Sequence, residues 1–277
     1  MVTSYCPDAV AASELMVDAG AGFRVFYDLD TPVTLAGLER GDSVPYIGAG
    51  GLRDYHLVFS YTGGAALEQL SSRLGAQRVA PLYGSVDLET HYPVEPSPRY
   101  EAGLSYLGTY AADRQAMLET LFVEPARAMP EERFLLGGSQ YPEEFPWTPN
   151  MHYAGHVTPP EHPQFYCSAK LNLSVTRKAM ARMGYCPSGR LFEAAACAAP
   201  VLTDAWQGLD RFFEPGREIL VATTTEEAVD HLSRSEADLR AIGKSARERV
   251  LDEHTADHRA LEFEAALDGA ASFQRYC

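Results

Sequence analysis

Long apolar runs are missing from this sequence. No stretch approaches the roughly 20 apolar residues that a membrane-spanning helix needs. The chain does not open with charged residues followed by an apolar block, so we expect neither a span nor a secretory leader. Basic residues are also scarce, because 23 Lys and Arg stand against 38 Asp and Glu, a formal net charge of −15. Nucleic acids and anionic membranes need a basic face. The composition therefore argues against both partners and predicts a cytoplasmic protein.

Closely paired cysteines are absent as well. The five cysteines show none of the short spacings typical of zinc or disulfide sites, and they are Cys6, Cys167, Cys186, Cys197 and Cys277. Reduced thiols are therefore expected. Internal repeats and low-complexity tracts are also missing. A content of 46% hydrophobic and 22% charged residues is that of an ordinary folded protein.

Short apolar segments alternate with helical stretches along the chain. This alternation predicts parallel sheets with helices on both faces, and hence an α/β fold with two Rossmann-like lobes. The predicted strands are residues 22–29, 55–61, 79–83, 103–108, 133–137, 151–154, 169–175, 201–203 and 219–222. Successive helices are expected in the last fifth of the chain, opened by the capping residues Thr225, Ser235 and Thr255.

A proline-rich stretch divides the sequence. Residues 91–100, HYPVEPSPRY, have no helical period and the composition of an extended linker. We therefore expect a shortened N-terminal lobe at residues 1–95, a C-terminal lobe at 96–252 and a helical tail at 253–277.

Residues 188–204, SGRLFEAAACAAPVLTD, have the pattern of a loop, a small-residue helix and a buried strand. Ser188 or Gly189 can begin the helix, and Pro200 ends it. Glu193 lies near the start of this helix. A carboxylate there can accept ribose hydroxyls while the exposed amides face a phosphate. The alternative is an alanine-rich packing helix in which Glu193 only complements the helix dipole.

A longer segment extends this pattern. Residues 185–222, YCPSGRLFEAAACAAPVLTDAWQGLDRFFEPGREILVA, resemble the donor-binding segment of two-Rossmann-domain (GT-B) glycosyltransferases. The resemblance is greatest to CgeB-like spore-maturation glycosyltransferases. It also covers FYDLDTPVTL, FSYTGG, YLGTYAADRQ and FLLGGSQYP at residues 26–35, 59–64, 106–115 and 134–142. It implies sugar transfer from a nucleotide-diphosphate donor to an unidentified acceptor, with the donor on the C-terminal lobe, the acceptor on the N-terminal lobe and no required cofactor.

The resemblance implies roles for particular residues. Glu193 matches the helix glutamate that binds the donor ribose. Many retaining members carry a second glutamate eight residues earlier, where this chain has Tyr185, so the donor sugar and the stereochemistry stay open. The loop with Ser188 and Gly189 resembles the diphosphate-facing turn, in which glycine permits close backbone approach and Arg190 supplies charge. Arg190 could instead be a solvated surface charge.

A second turn carries polar residues that point to the same ligand. Gly108, Thr109 and Arg114 follow the first strand of the C-terminal lobe, at the sheet edge where parallel α/β folds bind ligands. Contact with the diphosphate is the functional interpretation. A glycine-threonine turn with an exposed arginine is also common in α/β proteins of any function. Arg177, which follows another apolar strand, is a weaker candidate.

Asp28 and Asp30 form an Asp-Leu-Asp triplet, the pattern by which metal-dependent (GT-A) glycosyltransferases hold a divalent cation. Alternate strand residues share a face, so both carboxylates could reach one ion. The alternative is that Asp30 or Thr31 caps a helix beginning at Pro32. In the two-lobe interpretation Asp30 is the candidate catalytic residue, as a general base or as a residue that orients the acceptor.

Histidines are not expected to bind metal. His254 and His258 are four residues apart, but they lack the glutamate directly after the first histidine that zinc proteases carry. His152, His156 and His162 have no supporting cysteine or carboxylate spacing. The resemblance instead places the segment that ends before Tyr166, GHVTPPEHPQF, near the nucleotide base.

The N-terminal lobe has fewer residues than a complete Rossmann-like lobe. By comparison with the family, the early strands and their glycine-rich turn are absent. Three explanations are open: a truncated reading frame, a half-enzyme completed by a partner chain, or a reduced lobe. Exposed sheet edges and an uncovered apolar face would favour homo-oligomers. A binding or scaffold protein without turnover is a further alternative.

Overall fold

Strands and helices alternate along the chain in the computed structural model, which describes residues 1–20 and 22–274. Two compact units form. The first contains residues 1–84, 179–187 and those from 257 onward, and the second contains residues 85–178 and 188–256. The tail helix thus belongs to the first unit. Cys277 lies outside the described residues.

The first unit contains a four-stranded parallel sheet in the order β1-β2-β3-β4. Its strands are β1 Val2–Thr3, β2 Val25–Asp28, β3 Leu57–Ser60 and β4 Val79–Pro81. Its helices include α1 Ala9–Asp18, α2 Thr31–Arg40 and α3 Ala65–Leu74. Each predicted strand of this region is present, and β1 is an additional one.

Alternate strand residues point to opposite faces of this sheet, and both faces are covered by apolar side chains. Phe26 and Val58 face a core shared with Leu70 of α3. Val25, Leu57 and Phe59 face the last helix, in which Phe263 stacks on Phe59 at 5.1 Å. The expected uncovered apolar face is therefore not found among the described residues. Homo-oligomerisation stays a prediction.

The second unit contains a six-stranded parallel sheet in the order β10-β9-β8-β5-β6-β7. Its strands are β5 Ala102–Leu107, β6 Phe134–Gly137, β7 Met151–Gly155, β8 Ala169–Ser174, β9 Val201–Thr203 and β10 Leu220–Val221. The chain builds from β5 to β7 in one direction and then from β8 to β10 in the other. Because β5 pairs with both β6 and β8, the direction changes at β5. These strands confirm the predicted α/β fold.

The second unit also contains helices. They are α4 Gln115–Leu118, which continues through one π turn at Glu119–Val123 into α5 Glu124–Ala128, then α6 His162–Ser168, α8 Gly189–Ala196, α9 Thr225–Leu232 and α10 Glu236–Glu253. Helices α7 Lys178–Met183 and α11 Ala256–Gln274 belong to the first unit, apart from the first residue of each. No helix in the described ranges is long and apolar enough to cross a bilayer.

One predicted helix cap is wrong by a residue. Thr224, not Thr225, caps α9, because its side chain accepts the Glu227 N–H while the Glu227 carboxylate accepts the Thr224 N–H. This reciprocal pair satisfies two otherwise unpaired amides. Ser235 caps α10 as predicted, accepting the Asp238 N–H.

Helices α8 and α10 approach each other closely at a glycine. A Cβ on Gly243 would lie 2.2 Å from the Ala198 carbonyl oxygen, which is backbone and cannot swing away. The segment after α8 therefore packs directly on the α10 backbone, and this contact fixes one end of the small-residue helix.

Candidate functional site

The change of direction at β5 places several predicted residues at one sheet edge. Gly108 and Thr109 follow β5, and Arg177 follows the neighbouring strand β8 after two residues. In open parallel sheets, ligands bind beyond the carboxyl ends of the strands where the strand order reverses. This edge of the second unit, the switch-point edge, is therefore the geometric candidate for a site.

Backbone contacts fix the turn after β5. The Gly108 N–H donates to the Gly137 carbonyl at 2.9 Å, and the Tyr141 hydroxyl donates to the Gly108 carbonyl at 2.9 Å. Gly138 has φ +140°, and a Cβ there would lie 1.9 Å from the Gly108 oxygen. Only glycine fits this position, so the turn is held by two strand ends at once.

Two half-buried arginines act on the same tyrosines at this edge. Burial raises the pKa of Tyr106 and of Tyr141, while the positive charges of Arg114 and Arg190 oppose the shift in each case. Arg114 Nη1 donates to the Thr109 carbonyl at 3.4 Å. Its Nε atom is buried and has no hydrogen-bond partner within the described part of the chain. Positive charge is therefore concentrated at this edge, and the Arg114 Nε–H group can still donate a hydrogen bond to a ligand.

Helix α8 presents its amino end to the same unit. Ser188 precedes it in an extended conformation, and its side chain makes no capping hydrogen bond, so the first amides of α8 have no side-chain cap. Arg190 is the second residue of the helix. Leu191 and Phe192 are buried, whereas the Glu193 side chain is 26% exposed. The helix therefore buries Leu191 and Phe192 and leaves the Glu193 carboxylate partly accessible.

Glu193 is oriented by a neighbour that the sequence does not reveal. The Tyr166 hydroxyl donates to Glu193 Oε2 at 2.8 Å. Burial raises the pKa of Tyr166 well above its usual value, and the Glu193 charge adds to the shift, so the phenol keeps its proton as a donor. His91 Nε2 and His162 Nδ1 lie 4.0 and 3.9 Å from the same carboxylate oxygen.

Eight predicted site residues belong to the second unit: Gly108, Thr109, Arg114, Arg177, Ser188, Gly189, Arg190 and Glu193. Arg177 differs from the other arginines, because its Nε donates to Asp113 Oδ2 at 3.1 Å. That ion pair occupies its guanidinium. Arg114 and Arg190 are therefore the stronger candidates for binding an anion.

Tyr185 and Asp30 belong to the first unit. Tyr185 has φ +48°, its carbonyl accepts the Gly63 N–H at 2.9 Å, and its ring packs where a Cβ on Gly64 would lie 2.6 Å from Cδ2. The ring contact explains why the neighbouring FSYTGG segment has a glycine at position 64.

The Asp-Leu-Asp triplet has two different environments. Asp28 is fully buried, and burial raises the pKa of its carboxyl. Asp30 occupies the cap position of α2, but its side chain makes no capping bond and instead accepts the Tyr5 hydroxyl at 2.6 Å. Pro32 is the second helical residue, not the first as predicted.

Sequence reasoning missed the residues that support the site. Asp204 follows β9, is buried, and accepts the Thr176 N–H at 2.8 Å, which ties the ends of β8 and β9 together. Its position directly after a predicted strand was the available signal. Tyr166 and His91 gave no such signal, because their partners are distant in the sequence.

Known proteins match this arrangement. The model of the glycosyl transferase-like family matches residues 114–265, which is more than half of the 277-residue chain. The fold is that of GT-B glycosyltransferases. The chain therefore belongs to the glycosyl transferase-like family. The narrower resemblance to CgeB-like proteins stays a prediction. No curated protein matches the sequence.

Solved structures share the fold at low sequence identity. Sucrose-phosphate synthase from Thermosynechococcus elongatus has a TM-score of 0.67 at 16% identity, covering 95% of this chain and 77% of that one. Anabaena HepE in complex with UDP-glucose has a TM-score of 0.66 at 12% identity, covering 92% and 81%. A glycosyltransferase from Rickettsia africae has a TM-score of 0.60 at 9% identity, covering 94% and 80%.

Proposed function

We propose that this chain transfers a sugar from a nucleotide-diphosphate donor to an unidentified acceptor, and that the switch-point edge binds the donor. One observation carries the proposal. The oriented carboxylate of Glu193 and the positive charge of Arg190 lie within one turn of α8 in the unit whose strand order reverses at β5.

In this proposal Glu193 binds the ribose. An ionised carboxylate accepts two hydroxyl hydrogen bonds, and bonds of this charged kind are the stronger ones. Tyr166 holds one carboxylate oxygen, which limits the rotation of the side chain before a ligand arrives. The ribose therefore binds a carboxylate whose orientation is already partly fixed.

Arg190, Arg114 and the first amides of α8 bind the diphosphate in this proposal, with Gly108 and Thr109 contributing backbone groups. Guanidinium groups form paired hydrogen bonds with phosphate oxygens. The unpartnered Arg114 Nε is one donor available for this contact. When the sugar leaves, negative charge grows on the diphosphate, and the arginines and the amino end of α8 stabilise it. No metal is needed for that step.

UDP-glucose is the first donor to test, because the HepE structures contain UDP and UDP-glucose. UDP, GDP, ADP and TDP are titrated calorimetrically against the wild type and Glu193→Ala. We expect the substitution to weaken the preferred nucleotide by at least about tenfold, the lower end for a hydrogen bond to a charged group. Glu226→Ala removes an exposed glutamate of α9 and serves as the control. Equal nucleotide affinity in the wild type and Glu193→Ala would contradict the ribose assignment.

Asp30 is kept as the candidate base toward the acceptor. The rival proposal, a metal-dependent transferase built on Asp28 and Asp30, has less support because Asp28 is buried and burial favours its neutral carboxyl. Transfer activity that withstands EDTA would eliminate this rival.

A second candidate function is nucleotide-sugar binding without turnover. Tyr185 favours it, because this residue stands where many retaining relatives carry a sugar-facing glutamate, and its backbone and ring are fixed by the turn at Gly63 and Gly64. Release of UDP from UDP-glucose by the purified chain, with or without an acceptor, would rule it out.

A further inference from the structure

Three side chains from distant parts of the sequence meet beside α8. His91 comes from the proline-rich segment, His162 begins α6, and Glu193 lies in α8. The Glu193 Oε2 atom is 4.0 Å from His91 Nε2 and 3.9 Å from His162 Nδ1. One potential ligand atom from each of the three residues lies within 4.8 Å of the other two. All three residues belong to the second unit.

His91 is the member of this cluster whose burial indicates a missing ligand. It is only 9% exposed, and neither ring nitrogen has a hydrogen-bond partner in the described residues. A buried polar group without a partner costs about 1–3 kcal/mol, so such groups usually have a bound water, ion or ligand. The Nε2 atom of His91 faces Glu193, so the missing partner fits inside the cluster.

The chemistry of these three side chains favours one class of metal ion. Two imidazoles and one carboxylate suit borderline divalent ions such as Zn²⁺, whereas Mg²⁺ and Ca²⁺ prefer oxygen-only sites. The Tyr166 hydroxyl fixes Glu193 as an outer-shell partner would.

We propose that His91, His162 and Glu193 bind one divalent transition-metal ion of the Zn²⁺ class, with a fourth position open to solvent or ligand. Zinc bonds of about 2.0–2.1 Å hold two ligand atoms at most about 4.2 Å apart. The separations of 3.9 and 4.0 Å lie within that limit. The three ligand atoms together lie within 4.8 Å of one another, so the proposal requires side-chain rotations that close the site on the ion.

This ion is not a cofactor for transfer. Its binding would occupy the carboxylate that we assign to the ribose, so metal and donor exclude each other. That consequence rests on the proposed function, whereas the metal site itself does not.

Cobalt(II) titration of the purified full chain tests the site, because tetrahedral Co²⁺ gives intense visible bands. We expect saturation at one equivalent and displacement by Zn²⁺. His91→Asn and His162→Asn each weaken binding by at least about tenfold, the scale of metal-site losses. His152→Asn, at an exposed histidine of β7 outside the segment placed near the nucleotide base, leaves it unchanged. Far-UV circular dichroism verifies that every variant is folded.

Absence of saturable binding in the wild type would overturn the proposal. Binding that survives in a folded His91→Asn/His162→Asn double variant would overturn it too.

Co²⁺ titration in the presence of uridine distinguishes failure of the metal site from failure of the proposed function. Uridine carries the ribose but no diphosphate, so it does not chelate the metal itself. Uridine should weaken Co²⁺ binding if Glu193 serves both ligands. Co²⁺ binding that requires Glu193 but ignores bound uridine would support the metal site and contradict the ribose assignment.

Discussion

Tyr166 donates its hydroxyl hydrogen to Glu193 Oε2 at 2.8 Å, which joins the end of α6 to the first turns of α8. Tyr166→Phe removes only this bond. We expect the affinity for the preferred nucleotide to fall about five- to tenfold, in keeping with about 1 kcal/mol for one hydrogen bond. Tyr27→Phe deletes a tyrosine bond to the Leu82 carbonyl in the first unit and should leave the affinity unchanged. Calorimetric titration compares them, and equal effects of the two substitutions would contradict a specific role for Tyr166.

The three predicted arginines should differ in how much they contribute to UDP affinity, because one of them is already held in an ion pair. Arg114→Ala and Arg190→Ala should each weaken UDP binding about tenfold or more, because each removes charged contacts to the diphosphate. Arg177→Ala should have a smaller effect, since Asp113 already pairs with its guanidinium. Uridine, which lacks phosphates, should bind all three variants like the wild type. A loss of uridine affinity equal to the loss of UDP affinity would show that the arginines act on folding or on the ribose instead.

Two helical glycines offer a matched stability test. Gly243→Ala places a methyl group 2.2 Å from the Ala198 carbonyl oxygen and should destabilise the second unit by about 1–3 kcal/mol, the usual cost of overpacking. Gly269→Ala in α11 meets no atom within 4 Å and should stabilise by about 0.5–1 kcal/mol through helix propensity. Opposite shifts of the thermal midpoint are expected. A higher midpoint for Gly243→Ala would mean that α8 and α10 can separate without cost.

Cysteine reactivity should depend on position and pH. The Cys197 side chain and the Val94 N–H lower the pKa of Cys167 to about 7, although burial opposes this. The neutral Cys167 thiol donates to the Cys197 carbonyl at 3.5 Å. Burial raises the pKa of Cys186 to about 11. Because the thiolate is the reactive form, alkylation of Cys167 should rise through a midpoint near pH 7, and Cys186 should stay unmodified at neutral pH. Peptide mass spectrometry after brief iodoacetamide treatment measures both, and the rate at Cys167 should plateau above pH 8. A rate that continues to climb through pH 9 would contradict the lowered pKa.

The strands were predictable because each is a short apolar run between polar segments. Hydrophobic patterning records which residues are buried, so every predicted strand appears within three residues of its expected ends. Caps were harder, since Thr224 and Thr225 are chemically alike and only the reach of Glu227 decides between them.

The candidate site was predictable only where its residues lie in one segment. Ser188 to Glu193 form a single helix start, so the sequence places them together. His91, His162 and Glu193 come from segments separated by tens of residues, and no spacing rule brings them together; the sequence argued against a metal ligand at His162 for that reason. Tyr166 was hidden in the same way, because its partner is 27 residues away.

The reversal of strand order at β5 also has a thermodynamic consequence. The edge that we assign to the donor joins two halves of one sheet, β5 to β7 and β8 to β10. The two halves are adjacent in space but come from successive segments of the sequence. A nucleotide bridging the turn after β5 and the start of α8 would bind only when both halves are paired. By mass action it would then suppress partial unfolding of either half, so protection of backbone amides in β6 and β9 would rise together with donor concentration.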